Sequence, residues 1–558
     1  MNDLELPLGK RTRLYRFFEI VPAALSYGMI ILLVILSLIN PFIASIYLLA
    51  LVISMLVKAV GIAYRTIVGH KTMVRAEQVD WHQRLQDLED PSESYARIVR
   101  SSSKEIFYKR HKENVRLIAA DASEFPKPSH LFHAVIVAAY NESYEILQKT
   151  VESVKNTTYD NSRIIFILAY EERGGASIAK TAARLEKRYK DTFYTFQTVM
   201  HPKDMPHEVV GKGGNITFAA RHLQKYCDQQ HIAYNDVIIT TLDSDNRPYR
   251  SYFDYVAYEY IVHPERKRLS YQPIALYFGN IWDAPAPMRV VATSNSFWTV
   301  ISSMRPHTLR NFAAHSQPMD ALVEMNFWST RTIVEDGHQY WRSYFYFAGD
   351  YSVLPIHVPV YQDAVMADTY WGTIVAQFKQ LRRWGYGASD VPYVATRLFT
   401  KHRNVPFFEG LARFIRLLDG HITLAAMALI VTFGGWVPLL INTQASRIYA
   451  VHMLPEAVSN IQRVAMIGIF ITILLMLKML PPRPKRYKRR RTLGMVAQWI
   501  LMPVTSICFS SVGAFNAQTH LALGRYLDKF DVTAKATARS RDEAKKRAKA
   551  AKTRANTH

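Results

Sequence analysis

Residues 21–39 and 42–63 form two mostly apolar runs separated only by Asn40-Pro41, the second interrupted by Lys58 near its end. As a helix each is long enough to cross a hydrocarbon core about 30 Å thick. Lipid offers no partners for backbone N–H and C=O groups, so the pair is expected to fold as a tight helical hairpin. Two later runs, residues 421–440 and 461–480, predict a second hairpin. A cleaved leader is not expected, because no small-residue cleavage site follows the first run and another apolar run begins at once. The chain reads as an integral membrane protein.

Charge sets the expected orientation. Lys10, Arg11, Arg13 and Arg16 precede the first run, Arg65, Lys71 and Arg75 follow the second, and the turn between them carries none. Positive residues stay on the cytoplasmic side, so the N-terminus, the long middle and the stretch RPKRYKRRR (residues 483–491) are placed inside, in an inner (plasma) membrane. A fifth apolar run, residues 493–515, would carry the Lys/Arg-rich tail outside if it crossed. Pro503 offers a break, and a re-entrant or interfacial hairpin is expected there in preference to a fifth crossing.

The formal net charge of +23 is then accounted for by basic flanks and a basic tail facing anionic lipid headgroups. No aromatic-interleaved module supports nucleic-acid binding. Cys227 and Cys508 are too few and too far apart for a disulfide framework or a zinc site, and the 19 histidines contain no HExxH pattern. The expected layout is a cytoplasmic N-terminus (1–20), a membrane hairpin (21–63), a helical connector (64–130) and a soluble domain (131–400). An interfacial amphipathic helix (401–420), a second hairpin (421–480), a basic loop with the fifth run (481–524) and a disordered basic tail (525–558) complete it. In the connector, Trp81, Leu85 and Leu88 fall at helical spacing.

From His133 short apolar runs alternate with amphipathic stretches: HAVIVAAYNE, EILQKTVESVKNT, RIIFILAYEE, SIAKTAARLEKRY. Strand, helix, strand, helix is the pattern of an α/β layered domain with a largely parallel sheet, and such sheets bind ligands beyond the carboxyl ends of their strands. AYNE (residues 139–142) and the Asp243-Ser244-Asp245 that ends DVIITTLDSD both fall there. Two carboxylates one residue apart at a strand end suit a hard divalent cation completed by substrate phosphates. Asp-x-Asp alone recurs by chance, so the rest of the domain has to carry the reading.

Three further pieces follow in order. GKGGN (211–215) sets Lys212 in a glycine-rich loop, TIVED (332–336) ends an apolar stretch on Glu335 and Asp336, and QLRRW (380–384) gathers an amide, two guanidiniums and an indole. With these the chain resembles the membrane-embedded family 2 glycosyltransferases, the group of cellulose, chitin and hyaluronan synthases. Their processive members carry D, DxD, (T)ED and QxxRW motifs on a GT-A domain between transmembrane helices. The likeness covers residues 131–393 by motif. It implies that Ala139, Tyr140, Glu142 and Lys212 hold the nucleotide sugar, that Asp243 contacts the nucleotide, and that Asp245, with Asp243 beside it, binds Mg²⁺ or Mn²⁺. It makes Asp336, flanked by Glu335, the general base, and sets Gln380, Arg383 and Trp384 where diphosphate and acceptor meet.

Taken singly, Asp336 could be a helix cap and Trp384 a core indole; the ordered set argues otherwise. Three departures touch the acceptor and the base pocket. The second strand ends in LAYEERGG rather than an acidic DDGS-like turn, leaving either Glu171 or Glu172 as a substitute or no such contact at all. Val334 stands in place of Thr, and HSQPMDALVEMNFWSTRT replaces a Gly-rich acceptor segment. The expectation is an inverting, metal-dependent enzyme that passes sugar from a nucleotide sugar, a UDP-sugar first, to a growing β-linked glycan, with transfer of one sugar to a lipid acceptor as the alternative. A nucleotide-binding scaffold or transporter is disfavoured, because the spans lack midplane charges and paired broken helices.

Overall fold

The computed structural model describes residues 4–401 and 403–528; the expected disordered tail lies, beyond Asp528, outside the described residues. Eight strands form one mixed sheet: β1 Phe132–Ala139, β2 Ile164–Glu171, β3 Thr195–His201, β4 Val237–Asp243, β5 Arg247–Pro248, β6 Leu269–Leu276, β7 His315–Pro318 and β8 Ser352–Tyr361. Their order is β3-β2-β1-β4-β7-β6-β8-β5. β3, β2, β1 and β4 are parallel, as the alternating apolar pattern predicts, and β7 runs antiparallel between β4 and β6. The β-branched centres of β1, β2 and β4 are buried on both faces, as expected of strands covered by helices on either side.

The connector is not a loose linker. Trp81, Leu85 and Leu88 are buried in the same apolar cluster as β1, β2 and helix Tyr252–Val262. The indole of Trp81 stacks on Tyr255 with ring centroids 3.5 Å apart and donates to the carbonyl of Ala76. The hairpin turn is built as its residues dictate: the Asn40 side chain accepts from the N–H groups of Phe42 and Ile43 and caps helix Pro41–Glu77, whose first residue is the proline. At 37 residues that helix is about 55 Å long. It therefore continues past the lipid, and Gly69 packs so tightly on Val300 of helix Ala286–Ser303 and on Met304 just beyond it that a Cβ would lie 2.8 Å from Val300 Cγ1.

Among the described residues five helical runs are long and apolar enough to cross a membrane: Arg13–Ile39, Pro41–Glu77, Phe407–Ile441, Leu454–Met479 and Arg490–Ala522. In the third, helix Phe407–Ile422 passes without a break through a π-helical turn at Thr423–Met427 into the apolar segment. Its first part buries Phe414 and Leu417 beside Tyr340, Trp341 and Tyr344 of the α/β domain, while Phe408 and Ile415 face outward.

The fifth run corrects one expectation. Pro503 does not fold the chain back: it lies inside one helical run, Arg490–Ala522, between a 3₁₀ turn at Gln498–Leu501 and a π-helical turn at Ser506–Ser511. The tightened turn before it and the widened turn after it take up the missing N–H and the ring, so the run continues through the proline. Both ends of the run nevertheless rest on the α/β domain. Arg491 donates to the carbonyls of Trp282 and Ala284 at one end, and Ala517 and Leu521 share an apolar cluster with Val334 and Tyr386 at the other. Between them the run packs on the first and third apolar helices, where Phe515 lies against Tyr27 and Gln518 donates to the carbonyl of His421, so this interfacial run fills the seam between the α/β domain and the apolar helices.

Candidate active site

β4 and β6 both pair antiparallel to β7, and β8 is parallel to β6, so β1, β4, β6 and β8 end at one edge of the sheet. Register aligns Ala138 with Asp243 and Leu276 with Tyr361, which brings four post-strand loops together. Glu142 ties two of them: it accepts from the N–H of Tyr140 at 2.6 Å and from the hydroxyl of Ser244 at 3.0 Å. Tyr140 follows Ala139, the last residue of β1. Its carbonyl is pressed against Gly174, where a Cβ would lie 1.8 Å from the oxygen. Gly174→Ala is expected to displace the Tyr140 loop and lower kcat/KM by about 10²-fold, most of it in KM for the donor. Unchanged steady-state kinetics in a folded variant would sink that assignment.

GKGGN is the entry to helix Lys212–Gln230. Gly213 abuts the carbonyl of Ser329 and the Cβ of Glu335, and a side chain there would collide at 2.3 Å. This contact docks the ED segment on the glycine loop and turns Lys212 inward. Lys212 Nζ, almost fully buried, lies 2.7 Å from Asp243 Oδ1 and donates to the carbonyl of Ala313 at 3.0 Å. Burial opposes its charge, but Asp243, Glu335 and Asp336 outweigh that and raise its pKa. Glu335 and Asp336 open helix Glu335–Tyr346. Burial, reinforced by the charge of Asp336, pushes Glu335 up, against the opposing influence of Lys212 and Arg383. Burial likewise raises Asp336, whose Oδ1 accepts from the N–H of Gly337 at 2.7 Å. A carboxylate held above its ordinary range is a better proton acceptor.

Asp245 is buried, and its Oδ2 accepts from the N–H of Asp363 just beyond β8. Asp363 pairs with Arg247, and the pair lies over Gly279, where a Cβ would come within 1.6 Å of Arg247 Nη2. The motif QLRRW ends helix Tyr370–Gly385. Arg383 acts electrostatically on both Glu335 and Asp336, and the Trp384 ring sits 6.1 Å from that of Tyr277. Gln380 instead accepts from Gln377 on its own helix at 2.9 Å. The helix is seated on the interfacial run by close backbone contact: a Cβ at Gly385 would meet Ala514, and one at Gly513 would meet Arg382.

Tyr277 escaped sequence reasoning. It stands immediately after β6, and its hydroxyl is raised by burial and then by Asp243, Asp245 and Asp336, with Arg383 opposing. It therefore occupies the middle of the constellation. The available signal was positional, since Tyr277 and Asp363 each follow an apolar strand just as Tyr140 and Asp245 do. The two candidates for the missing acidic turn are otherwise engaged. Glu171 pairs with His201 at 3.1 Å and Arg173 at 3.0 Å, and Glu172 accepts from the N–H of Lys203. Burial pulls His201 down, but Glu171 and Glu208 more than reverse this and hold it at about 9.

No group of three or more His, Cys, Asp or Glu among the described residues is arranged as a metal cage. The carboxylates on offer are Asp243 and Asp245, a donor set that suits a hard cation completed by a diphosphate.

The edge of the sheet thus brings together a buried lysine, an acidic strand end and an elevated carboxylate pair. Residues 134–267 of the chain match the family model described as glycosyl transferase family 2. Among solved structures it is similar to the mannosyltransferase PcManGT from Pyrobaculum calidifontis in complex with GDP-Man and Mn²⁺, with 11% identity over 84% of this chain and 99% of that one and a TM-score of 0.39. It is also similar to S. aureus TarS 1–349 in complex with UDP-GlcNAc, with 10% identity over 71% and 93% and a TM-score of 0.34. A sequence search of curated proteins finds no match.

Proposed function

We propose that the chain is an inverting, metal-dependent glycosyltransferase that takes sugar from a nucleotide sugar, a UDP-sugar first, and adds it to a growing β-linked glycan at the cytoplasmic face of the membrane. The observation that carries this reading is the convergence of Lys212, Asp243, Glu335, Asp336 and Arg383 in one buried electrostatic neighbourhood, reached from four separate motifs. Tyr140 and Glu142 shape the wall for the nucleoside. Asp243 and Asp245 would hold Mg²⁺ or Mn²⁺, which when bound neutralises charge on the leaving diphosphate. Lys212 and Arg383 supply fixed positive charge to the same region. Asp336 takes the proton of the acceptor hydroxyl as that oxygen attacks the anomeric carbon, so an α-linked donor gives a β-linkage. Trp384 and Tyr277 offer flat apolar faces for a sugar ring.

Processive extension is supported by QLRRW lying against the interfacial run, which itself packs on the first and third apolar helices. Basic residues before the first span and after the fourth support a cytoplasmic domain. The test is turnover of a panel of UDP- and GDP-sugars by detergent-purified protein with Mg²⁺ or Mn²⁺, the product sized by mass. One donor consumed and a long glycan formed is the expected result. A short lipid-linked product would replace the acceptor assignment, and the absence of turnover with every donor would overturn the reading.

A further inference from the structure

Where the interfacial run begins, beside helix Ala286–Ser303, two arginines from distant parts of the sequence converge. Arg289 is 3% exposed. Its Nη1 donates to the carbonyl of Ala284 at 2.7 Å and its Nε to Gln498 Oε1. Arg491 Nη2 donates to the same Ala284 carbonyl at 3.2 Å and to that of Trp282 at 2.8 Å. Sharing one acceptor, the two guanidiniums lie side by side, and among the described residues neither has a carboxylate partner. The nearest candidate, Asp283, is taken by Arg486 and Tyr487. Burial and then the charge of Arg491 lower Arg289 to about 10. A buried cation beside a like charge is costly unless something neutralises it.

The neighbouring polar groups show the same deficit. Gln498 has its Oε1 on Arg289, and its Nε2 is buried without an acceptor; Arg491 Nε and Trp499 Nε1 are buried and unpartnered as well. Each of these unmet groups is a donor. What is missing is an anion with several acceptor oxygens, and a phosphate group supplies that, two guanidiniums and a primary amide being a strong recognition set for it. The position narrows the source. The cluster follows the basic loop 481–489, at the junction between the fourth membrane span and the interfacial run, where headgroup phosphates lie. Trp499 also packs in one apolar cluster with Leu381 and Trp384 of the QLRRW helix.

We propose that Arg289, Arg491 and Gln498 form a phosphate site that holds the headgroup of an anionic membrane lipid and anchors the interfacial run against the α/β domain. The site is separate from the donor pocket, so it is tested by binding and not by turnover. Full-length protein would be reconstituted in nanodiscs of phosphatidylcholine with and without phosphatidylglycerol. Retained lipid would be counted by native mass spectrometry and thermal stability followed alongside, with inorganic phosphate titrated into detergent-solubilised protein as a second arm.

Phosphatidylglycerol is expected to be retained and to raise the melting temperature of the wild type, with Arg491→Gln weakening retention about tenfold and Lys485→Gln leaving it unchanged. Arg491 is only partly buried, unlike Arg289, so its substitution spares the fold even if Arg289→Gln does not. Saturation by inorganic phosphate with the same Arg491 dependence would support the phosphate site and assign it to a free anion. Equal loss in Lys485→Gln would reduce the effect to diffuse charge and overturn the proposal, as would indifference to both ligands.

Discussion

Replacing Asp336 by Asn should lower kcat by about 10³-fold, within the range for loss of a positioned general base, while leaving KM for the donor nearly unchanged. The substitution keeps shape and retains an oxygen for the N–H of Gly337, which now bonds Asp336 Oδ1 at 2.7 Å, so the start of helix Glu335–Tyr346 should survive. What it removes is the only function an amide cannot perform, accepting the acceptor's proton. The measurement is steady-state kinetics beside binding of the free nucleotide. A variant that retains kcat would end the assignment. A variant that loses nucleotide binding in proportion would make Asp336 a structural cap and not a base.

Lys212→Met should do more damage to the fold than any other single change in the site. The ammonium is nearly buried, bonded to Asp243 and Ala313, and faced by Glu335 and Asp336. Removing it strips Glu335, Asp336 and Asp243 of that cation; breaking a fully buried pair from one side costs about 3–5 kcal/mol, and because the Asp243 side chain is 31% exposed the loss here is expected below that range, about 2 kcal/mol. Stability should therefore fall steeply, and turnover with it. Asp243→Asn in the same chain should restore part of the stability, because one of the uncompensated charges goes too, yet recover no activity, because a carboxylate of the DxD pair is gone. Thermal melts of the two single variants and the double variant form the cycle. Additive losses would mean that Lys212 and Asp243 are not coupled and that the central ion pair is not what orders the site.

The hairpin at Asn40-Pro41, the parallel half of the sheet and the four motifs at strand and helix ends were legible because each depends on local chemistry. A run of some 20 apolar residues has few alternatives in lipid, a polar side chain next to a proline caps a helix, and a buried strand that stops on carboxylates displays them at its end. Pro503 misled for the same reason: a proline reads as a break, but the 3₁₀ and π-helical turns that carry the chain past it are set by the surrounding packing. Tyr277 was passed over because nothing in its own neighbourhood of the sequence is charged; its partners come from β4, from helix Glu335–Tyr346 and from the QLRRW helix.

By itself the sequence determined that this chain is a membrane protein with an α/β glycosyltransferase domain, and which residue types stand at the strand ends. Only the tertiary structure decided that Lys212 faces Asp243, that the connector belongs to the domain core, that the fifth apolar run lies along the domain, and that Arg289 meets Arg491 across 201 residues of chain. The physical reason is that hydrophobic periodicity and capping act over a few residues. Pairing of buried charges depends on which surfaces the sheet and the membrane helices bring together, and no local rule specifies that.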